Sequence, residues 1–386
     1  MTVDGQVESG FEAVAHAFER NFGERGEVGA GFAAYLDGVL VVDVWAGTAD
    51  STNGRAWRSD TIQPIFSGTK GLVATCLLLL VERGQLDLDA PVSRYWPRFA
   101  AHRKDGVLVR HVVSHTAGLP GIRRHVLARD ELLDDRHMAA LLVDEEPLWA
   151  PGGTLAYHPY TYGWLCGELI RRIDGRDLGR FFADEIAAPL ELDLWIGLPV
   201  DQDGRVARLE LAPDYGKGPS TDLAQIYADP VRAAIWGNPP ILVGNALDWN
   251  APSLHRVGVP GVGAIGEARA IARLYGCLAC GGHINGTRLL EHDTVAQGAR
   301  PLARSRDPVS DAPGAYGIGF ALQTDALPFG PPHDAFGHGG AGGSLHGAWP
   351  TQRVGFSYAP NQRRDDDPDH RSAALLSALF DAVDVR

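Results

Sequence analysis

The chain has 386 residues, 45% of them hydrophobic and 22% charged, with a formal net charge of −13. Such a length and composition describe a soluble globular protein of one large domain or two, long enough to bury a sizeable core. The acidic balance, with no basic stripe carrying interleaved aromatics, excludes nucleic acid and anionic membrane surfaces as partners.

The amino-terminal stretch from Met1 to Gln6 lacks the basic start and apolar core of a secretory signal, so a cytoplasmic location is expected. Phe11, Val14, Ala15, Phe18 and Phe22 fall at helical spacing and predict an amphipathic helix. Two apolar runs come next, Ala30 to Leu36 and Val39 to Ala46, joined by Asp37-Gly38. Asp-Gly between such runs signals a hairpin, so an antiparallel sheet begins here.

Ile65-Phe66-Ser67-Gly68-Thr69-Lys70-Gly71 sets a hydroxyl and an amine three residues apart at the head of an uncharged run ending at Val81. The run predicts a buried helix closed by Glu82-Arg83-Gly84, and it is too short to span a bilayer. Residues i and i+3 share a helical face, which stands Lys70 over Ser67. A serine hydroxyl needs an adjacent base to become a nucleophile, and a lysine loses its charge toward neutrality when desolvated. Taken alone, the pattern is also ordinary helix-capping chemistry, so its weight depends on partner groups further along the chain.

From Leu86 to about Leu198 helical patterns alternate with loops. His111 and His115 stand four apart on a predicted helix, a metal-ligand spacing. The glutamate of a His-Glu-x-x-His pattern and a third ligand are both missing, so a structural helix end near Gly118 and Pro120 is expected. A turn at Ala150 to Thr154 delivers Leu155 to Gly163 onto a helix running through Trp164 to Ile173. The segment from about Pro199 to Pro260 reads as long loops over a scaffold, where pockets are commonly built, with Trp236 and Trp249 open to either pocket or packing roles.

The four cysteines, Cys76, Cys166, Cys277 and Cys280, are scattered, which suits a reducing compartment. Cys277 and Cys280 lie in a helical pattern and read as core-facing, not as a redox or zinc pair. Tyr316 to Gln323, Ser344 to Trp349 and Val354 to Tyr358 predict strands, and Arg371 to Val383 a closing amphipathic helix. Strands at both ends with helices between predict an α+β (α/β) architecture. Residues 1–85 and 260–386 would form a discontinuous sheet domain, and 86–259 a mostly helical domain with long loops over a cleft.

Ser67-x-x-Lys70, Tyr157 and His338-Gly339-Gly340, in this order, resemble the serine β-lactamase and penicillin-binding-protein superfamily, most closely its class C-like branch of family VIII carboxylesterases. Further matching blocks are Arg110 to Pro120 and Pro151 to His158. The resemblance implies a β-lactamase/transpeptidase-like fold, an antiparallel sheet flanked by helices, and a serine hydrolase forming an acyl-enzyme without metal or cofactor. By position it makes Ser67 the nucleophile and gives Lys70 and Tyr157 the proton work. It assigns the oxyanion hole to the N–H groups of Ser67 and Ala341, and substrate contact to His338, Gly339 and Gly340. The glycines are expected to clear the strand backbone for a substrate.

Two departures bear on the substrate. Pro159 stands where class C β-lactamases carry an asparagine, and His338 replaces a lysine, exchanging a fixed charge for a titrating one. Both changes weaken penicillin recognition, so a short-chain carboxylesterase is expected, with a small ester or amide as partner. The alternatives are a β-lactamase or D-amino-acid peptidase or amidase and, in a different class, a catalytically silent binding relative. The intact Ser67, Lys70 and Tyr157 set opposes the last. No Gly-x-Ser-x-Gly pentapeptide of an α/β-hydrolase is present; Gly342-Gly343-Ser344-Leu345-His346 ends in histidine.

Overall fold

A computed structural model describes residues 2–125, 127–213, 215–216, 221–238, 240, 247–365 and 369–385. Asp37 and Gly38 both take left-handed backbone angles (φ 51° and 77°), as a two-residue turn matched to strand twist requires. They join the strands Gly29–Leu36 and Val39–Asp50 with Leu36 opposite Val39. The ten-stranded sheet runs in the order Asp4–Val7, Val39–Asp50, Gly29–Leu36, Val354–Pro360, Leu345–Trp349, Phe336–Gly339, Ala321–Leu322, Pro313–Tyr316 and Ala303–Arg306, with Arg55–Ala56 paired to Val39–Asp50 off this path. Because Gly29–Leu36 pairs along its length with Val354–Pro360, both ends of the chain build one sheet.

Strand alternation divides the core. Phe32 and Ala34 face a layer made by the helices Glu12–Glu24 and His370–Asp384, whose Val14, Phe18, Leu375 and Leu379 are buried. Ala33 and Tyr35 point the other way, onto the helix Ala268–Ala279. The helix Thr69–Glu82 belongs to that second layer and is buried from Thr69 to Leu80, which explains its lack of a polar face. Gly84, with φ 66°, ends it and donates its N–H to Val81 O at 2.9 Å.

Three sequence expectations change. Tyr316 to Gln323 is not one strand: Gly319 turns to φ 76° and donates to Val113 O at 3.0 Å, so the ladder breaks between Pro313–Tyr316 and Ala321–Leu322. The described part of Pro199 to Pro260 is not all loop, since it holds short helices at Leu223–Ala228, Pro230–Trp236 and Pro252–Val257. Cys277 is core-facing, but Cys280 caps its helix and is only half-buried; all four cysteines are unpaired. Among the described residues no helix is long and apolar enough to cross a membrane.

The helix Ala268–Ala279 lies unusually close to the sheet at one point. A Cβ on Gly355 would sit 2.0 Å from the backbone nitrogen of Gly276, where no flexible side chain can yield. Gly355→Ala is therefore expected to cost about 1–3 kcal/mol, measured as a lower denaturation midpoint at unchanged m-value.

Candidate active site

The site is assembled from the turn at the head of the buried helix. Phe66 holds a left-handed φ of 47°, a costly conformation for an aromatic residue, and so swings the chain from the strand Gln63–Pro64 into the 3-10 turn Phe66–Gly68. Thr69 locks this bend: its hydroxyl donates to Phe66 O (2.6 Å) and accepts from Ala264 N (2.9 Å). From Ile65 to Gly71 only Ser67 is not fully buried.

Lys70 is wholly buried, and its Nζ lies 3.1 Å from Ser67 Oγ, 2.7 Å from Pro159 O and 3.0 Å from Gly261 O. Burial holds its pKa well below the ordinary lysine value, opposed only by the nearby Cys166 thiol. A neutral amine has two hydrogens and one lone pair. The two carbonyls accept the hydrogens, which leaves the lone pair to accept from the Ser67 hydroxyl. Pro159 thus contributes its carbonyl to the lysine.

Tyr157 donates its hydroxyl to Ser67 Oγ at 3.0 Å. Its ring edge lines an open cavity, but its hydroxyl end is shut in against Ser67, and that desolvation raises its pKa above the usual phenol value. Burial thus favours the neutral phenol. The ring is held between Tyr316 (centroids 6.1 Å, 19° between planes) and Trp236 (6.4 Å, 29°). Its backbone N–H donates to Asp307 Oδ2 at 2.7 Å.

The helix expected to carry both histidines and end near Gly118 and Pro120 is shorter, Val109–Val113, and holds only His111. His111 Nδ1 accepts from Leu108 N at 3.2 Å, at the start of the short helix Val109–Val113. His115 lies beyond its end at φ 61°, with Nδ1 accepting from His158 N at 3.1 Å. His158 Nδ1 donates to Ala156 O (2.6 Å), and its Nε2 accepts from Leu119 N (3.1 Å). The block from Arg110 to Pro120 therefore fixes the segment that presents Tyr157.

His338 and Gly339 lie on the strand Phe336–Gly339, paired to Leu345–Trp349, while the neighbour on the other side reaches only Phe336 and Gly337. His338 Nδ1 donates to Gly339 O at 2.7 Å, and burial lowers its pKa to about 3. The expected titrating charge is thus corrected: His338 is a neutral group across the ordinary pH range. Gly340 lines the cavity and has a packing role as well. A Cβ there would lie 2.2 Å from Ile65 O, so glycine lets the turn close on the serine loop. At Gly339 a Cβ would approach the Leu327 and Leu345 side chains at 3.3 and 3.5 Å.

Ala341 comes next, in the turn between the two strands, held from both sides. Ser344 Oγ donates to Ile65 O at 3.3 Å, and Arg371 Nη2 donates to Gly342 O at 3.0 Å. Arg371 is almost fully buried and paired to Asp369 (2.6 Å) and Glu27 (3.0 Å). Burial raises the Glu27 pKa, with Arg371 acting against it. No backbone or side-chain acceptor takes the N–H of Ser67 or Ala341 among the described residues.

A cavity of about 700 Å³ opens over Ser67, walled by Tyr157, Trp236, Tyr316, Leu327 and Leu345. Trp249 instead packs edge-on to Phe66 at 4.9 Å and is buried, which separates the two tryptophans into wall and core. Asp307, Gly261, Tyr316 and Arg371 are contributors that sequence reasoning missed. Each acts through backbone or ring contact with a segment far away in the chain. Only the glycine-rich run Pro260-Gly261-Val262-Gly263 hints that a backbone approaches there.

The family model described as Beta-lactamase matches residues 14–379. The esterase/beta-lactamase LipL of Mycobacterium tuberculosis is 35% identical, over 93% of this chain and 83% of that protein. A family VIII carboxylesterase crystal structure superposes with a TM-score of 0.90 at 35% identity, covering 99% of this chain and 100% of that one. A penicillin-binding-protein homologue from Caulobacter crescentus gives 0.90 at 34% identity, covering 99% and 100%.

The carboxylate of Asp307 also accepts from Val309 N at 2.7 Å, so it sets where the Tyr157 segment sits. Asp307→Ala is expected to lower kcat for a chromogenic ester by about 10- to 100-fold, the worth of a charge-assisted hydrogen bond. KM should move less, and Asp307→Asn, which keeps an acceptor, should recover most of the rate.

Proposed function

The chain belongs to the beta-lactamase family, and from that premise we propose that it is a serine carboxylesterase acting on small, short-chain esters. The observation that carries this reading is the convergence of Lys70 Nζ and Tyr157 OH on Ser67 Oγ, at 3.1 and 3.0 Å. In the proposed reaction Ser67 attacks the ester carbonyl while neutral Lys70 takes its proton. Tyr157 gives its phenolic proton to the departing alkoxide and is reprotonated from Lys70. Water then repeats the sequence on the acyl-enzyme.

The N–H groups of Ser67 and Ala341 would stabilise the tetrahedral oxyanion, each donor contributing about 3–4 kcal/mol. His338, Gly339 and Gly340 would line the floor on which the substrate lies. The largely apolar cavity suits a short acyl chain, each buried methylene contributing about 0.8 kcal/mol. We read the sheet residues in 1–85 and 260–386 as one domain and 86–259 as the other, with the cleft between them. A cytoplasmic location fits the four unpaired thiols.

The double description of the mycobacterial relative favours weak β-lactam hydrolysis as a second reading. Two features oppose it as the main activity. No side-chain amide stands at Pro159, whose carbonyl is engaged by Lys70, and His338 is neutral where a β-lactam carboxylate calls for a cation.

Ser67→Ala should abolish fluorophosphonate labelling and p-nitrophenyl butyrate turnover in a protein that keeps its thermal midpoint. Nitrocefin turnover equal to butyrate turnover in the unaltered enzyme would reverse the order of the two readings. Since only the unprotonated lysine is a base, kcat/KM should fall as pH drops through the lowered Lys70 pKa. Tyr157 titrates above the phenol range, so no alkaline fall is expected below about pH 10. A rate flat from about pH 5 to 9 would remove Lys70 from the role of base.

A further inference from the structure

Away from the serine site, two imidazoles and a carboxylate meet on the surface of the helical region. His125 Nε2 lies 2.8 Å from Glu131 Oε1, and His137 Nε2 lies 2.7 Å from that same oxygen. His125 Nε2 also reaches Oε2 at 3.0 Å. All three ligand atoms fall within 4.8 Å of one another; Glu131 and His137 are half-buried and His125 is exposed. The histidines come from a loop and from the helix Asp135–Asp144, with Glu131 on the short turn between. We propose that His125, Glu131 and His137 form a site for a divalent transition-metal ion of the zinc type, separate from the serine chemistry.

The donor set determines the class of ion. Two imidazole nitrogens and one carboxylate oxygen, with room for water in the fourth position, suit zinc, cobalt or nickel, whereas calcium and magnesium prefer oxygen ligands. The carboxylate is already fixed in the orientation a ligand needs. Its Oε2 accepts from Ala128 N at 2.6 Å, which leaves Oε1 turned toward both rings. Without an ion, only N–H donation from the imidazoles brings those nitrogens to the shared oxygen. With one, both N–H groups shift to the other ring nitrogens and the lone pairs face the metal.

The site is tied to the cavity wall. Asn238 donates to Ile122 O and His125 O, both at 2.8 Å, and accepts from Leu127 N at 2.9 Å. It lies two residues beyond the helix Pro230–Trp236, and the Trp236 ring of that helix stacks on Tyr157. A Cβ on Gly121 would lie 2.4 Å from Ala234 O, so loop and helix are packed backbone to backbone. A bound ion would tie His125, whose carbonyl Asn238 holds, to Glu131 and His137 and so stiffen the wall beside Tyr157.

The test uses the full chain, freed of any histidine tag and of metal by chelation, with zinc alone as probe. Calorimetric titration near pH 7.5 should give one site per chain with a Kd of about 10 μM or tighter, and a thermal midpoint raised by a few degrees. His125→Ala with His137→Ala should weaken binding at least about 30-fold, and Glu131→Gln less, because both imidazole ligands remain. Cobalt should give the intense visible bands of four-coordinate geometry. Absence of saturable binding, or binding unchanged in the double variant with its fold verified by circular dichroism, overturns the proposal. Neither result touches the serine reading, which is assayed by labelling.

Discussion

The structure depends on a lysine buried without a carboxylate. Stranding an ammonium in a protein interior costs several kcal/mol, so the group gives up its proton unless an anion compensates. Lys70 instead meets the carbonyls of Pro159 and Gly261, which accept two hydrogens and neutralise nothing. The amine that results is a base with its lone pair toward Ser67. Those carbonyls belong to segments separated from Lys70 by 89 and 191 positions. The base therefore exists only when the helical region is seated on the sheet region.

The glycines serve the same closure. Gly163 would place a Cβ 1.8 Å from Pro260 O, so its helix sits directly on the segment that supplies one of the lysine's carbonyls. Gly340 does likewise between the cleft strand and the serine loop, and Gly343 between the turn and Asp369, where a Cβ would be 2.0 Å from Oδ2. Backbones at these distances have no slack, which is how a hydroxyl, an amine and a phenol from three elements are held within hydrogen-bond reach.

Neutrality is the common electrostatic theme. Lys70, Tyr157, His115, His158 and His338 all have pKa values displaced by burial toward their uncharged forms. These five groups meet the serine as uncharged polar atoms, while Arg232, Arg363 and Asp307 place charges elsewhere on the cavity lining. Glu27, Arg371 and Asp369 form a buried ion cluster behind the turn at Ala341, where each charge has a partner.

The sequence by itself determined the hairpin at Asp37-Gly38, the buried helix after Lys70, the terminal helices and the placing of strands at both ends. All of these arise from local periodicity and turn chemistry that a linear reading detects. The order of Ser67, Lys70, Tyr157 and His338-Gly339-Gly340 along the chain was enough to resemble a family. Only the tertiary structure showed that burial displaces Lys70 and Tyr157 toward their neutral forms, because the direction of a pKa shift depends on what surrounds the group in space. For the same reason it alone revealed Asp307 and Gly261, which act through backbone contacts that leave no pattern in their own neighbourhoods. It also broke the Tyr316 to Gln323 run, where the demand for a contact with Val113 outweighs strand propensity, and gave Gly340 a packing role between two backbones.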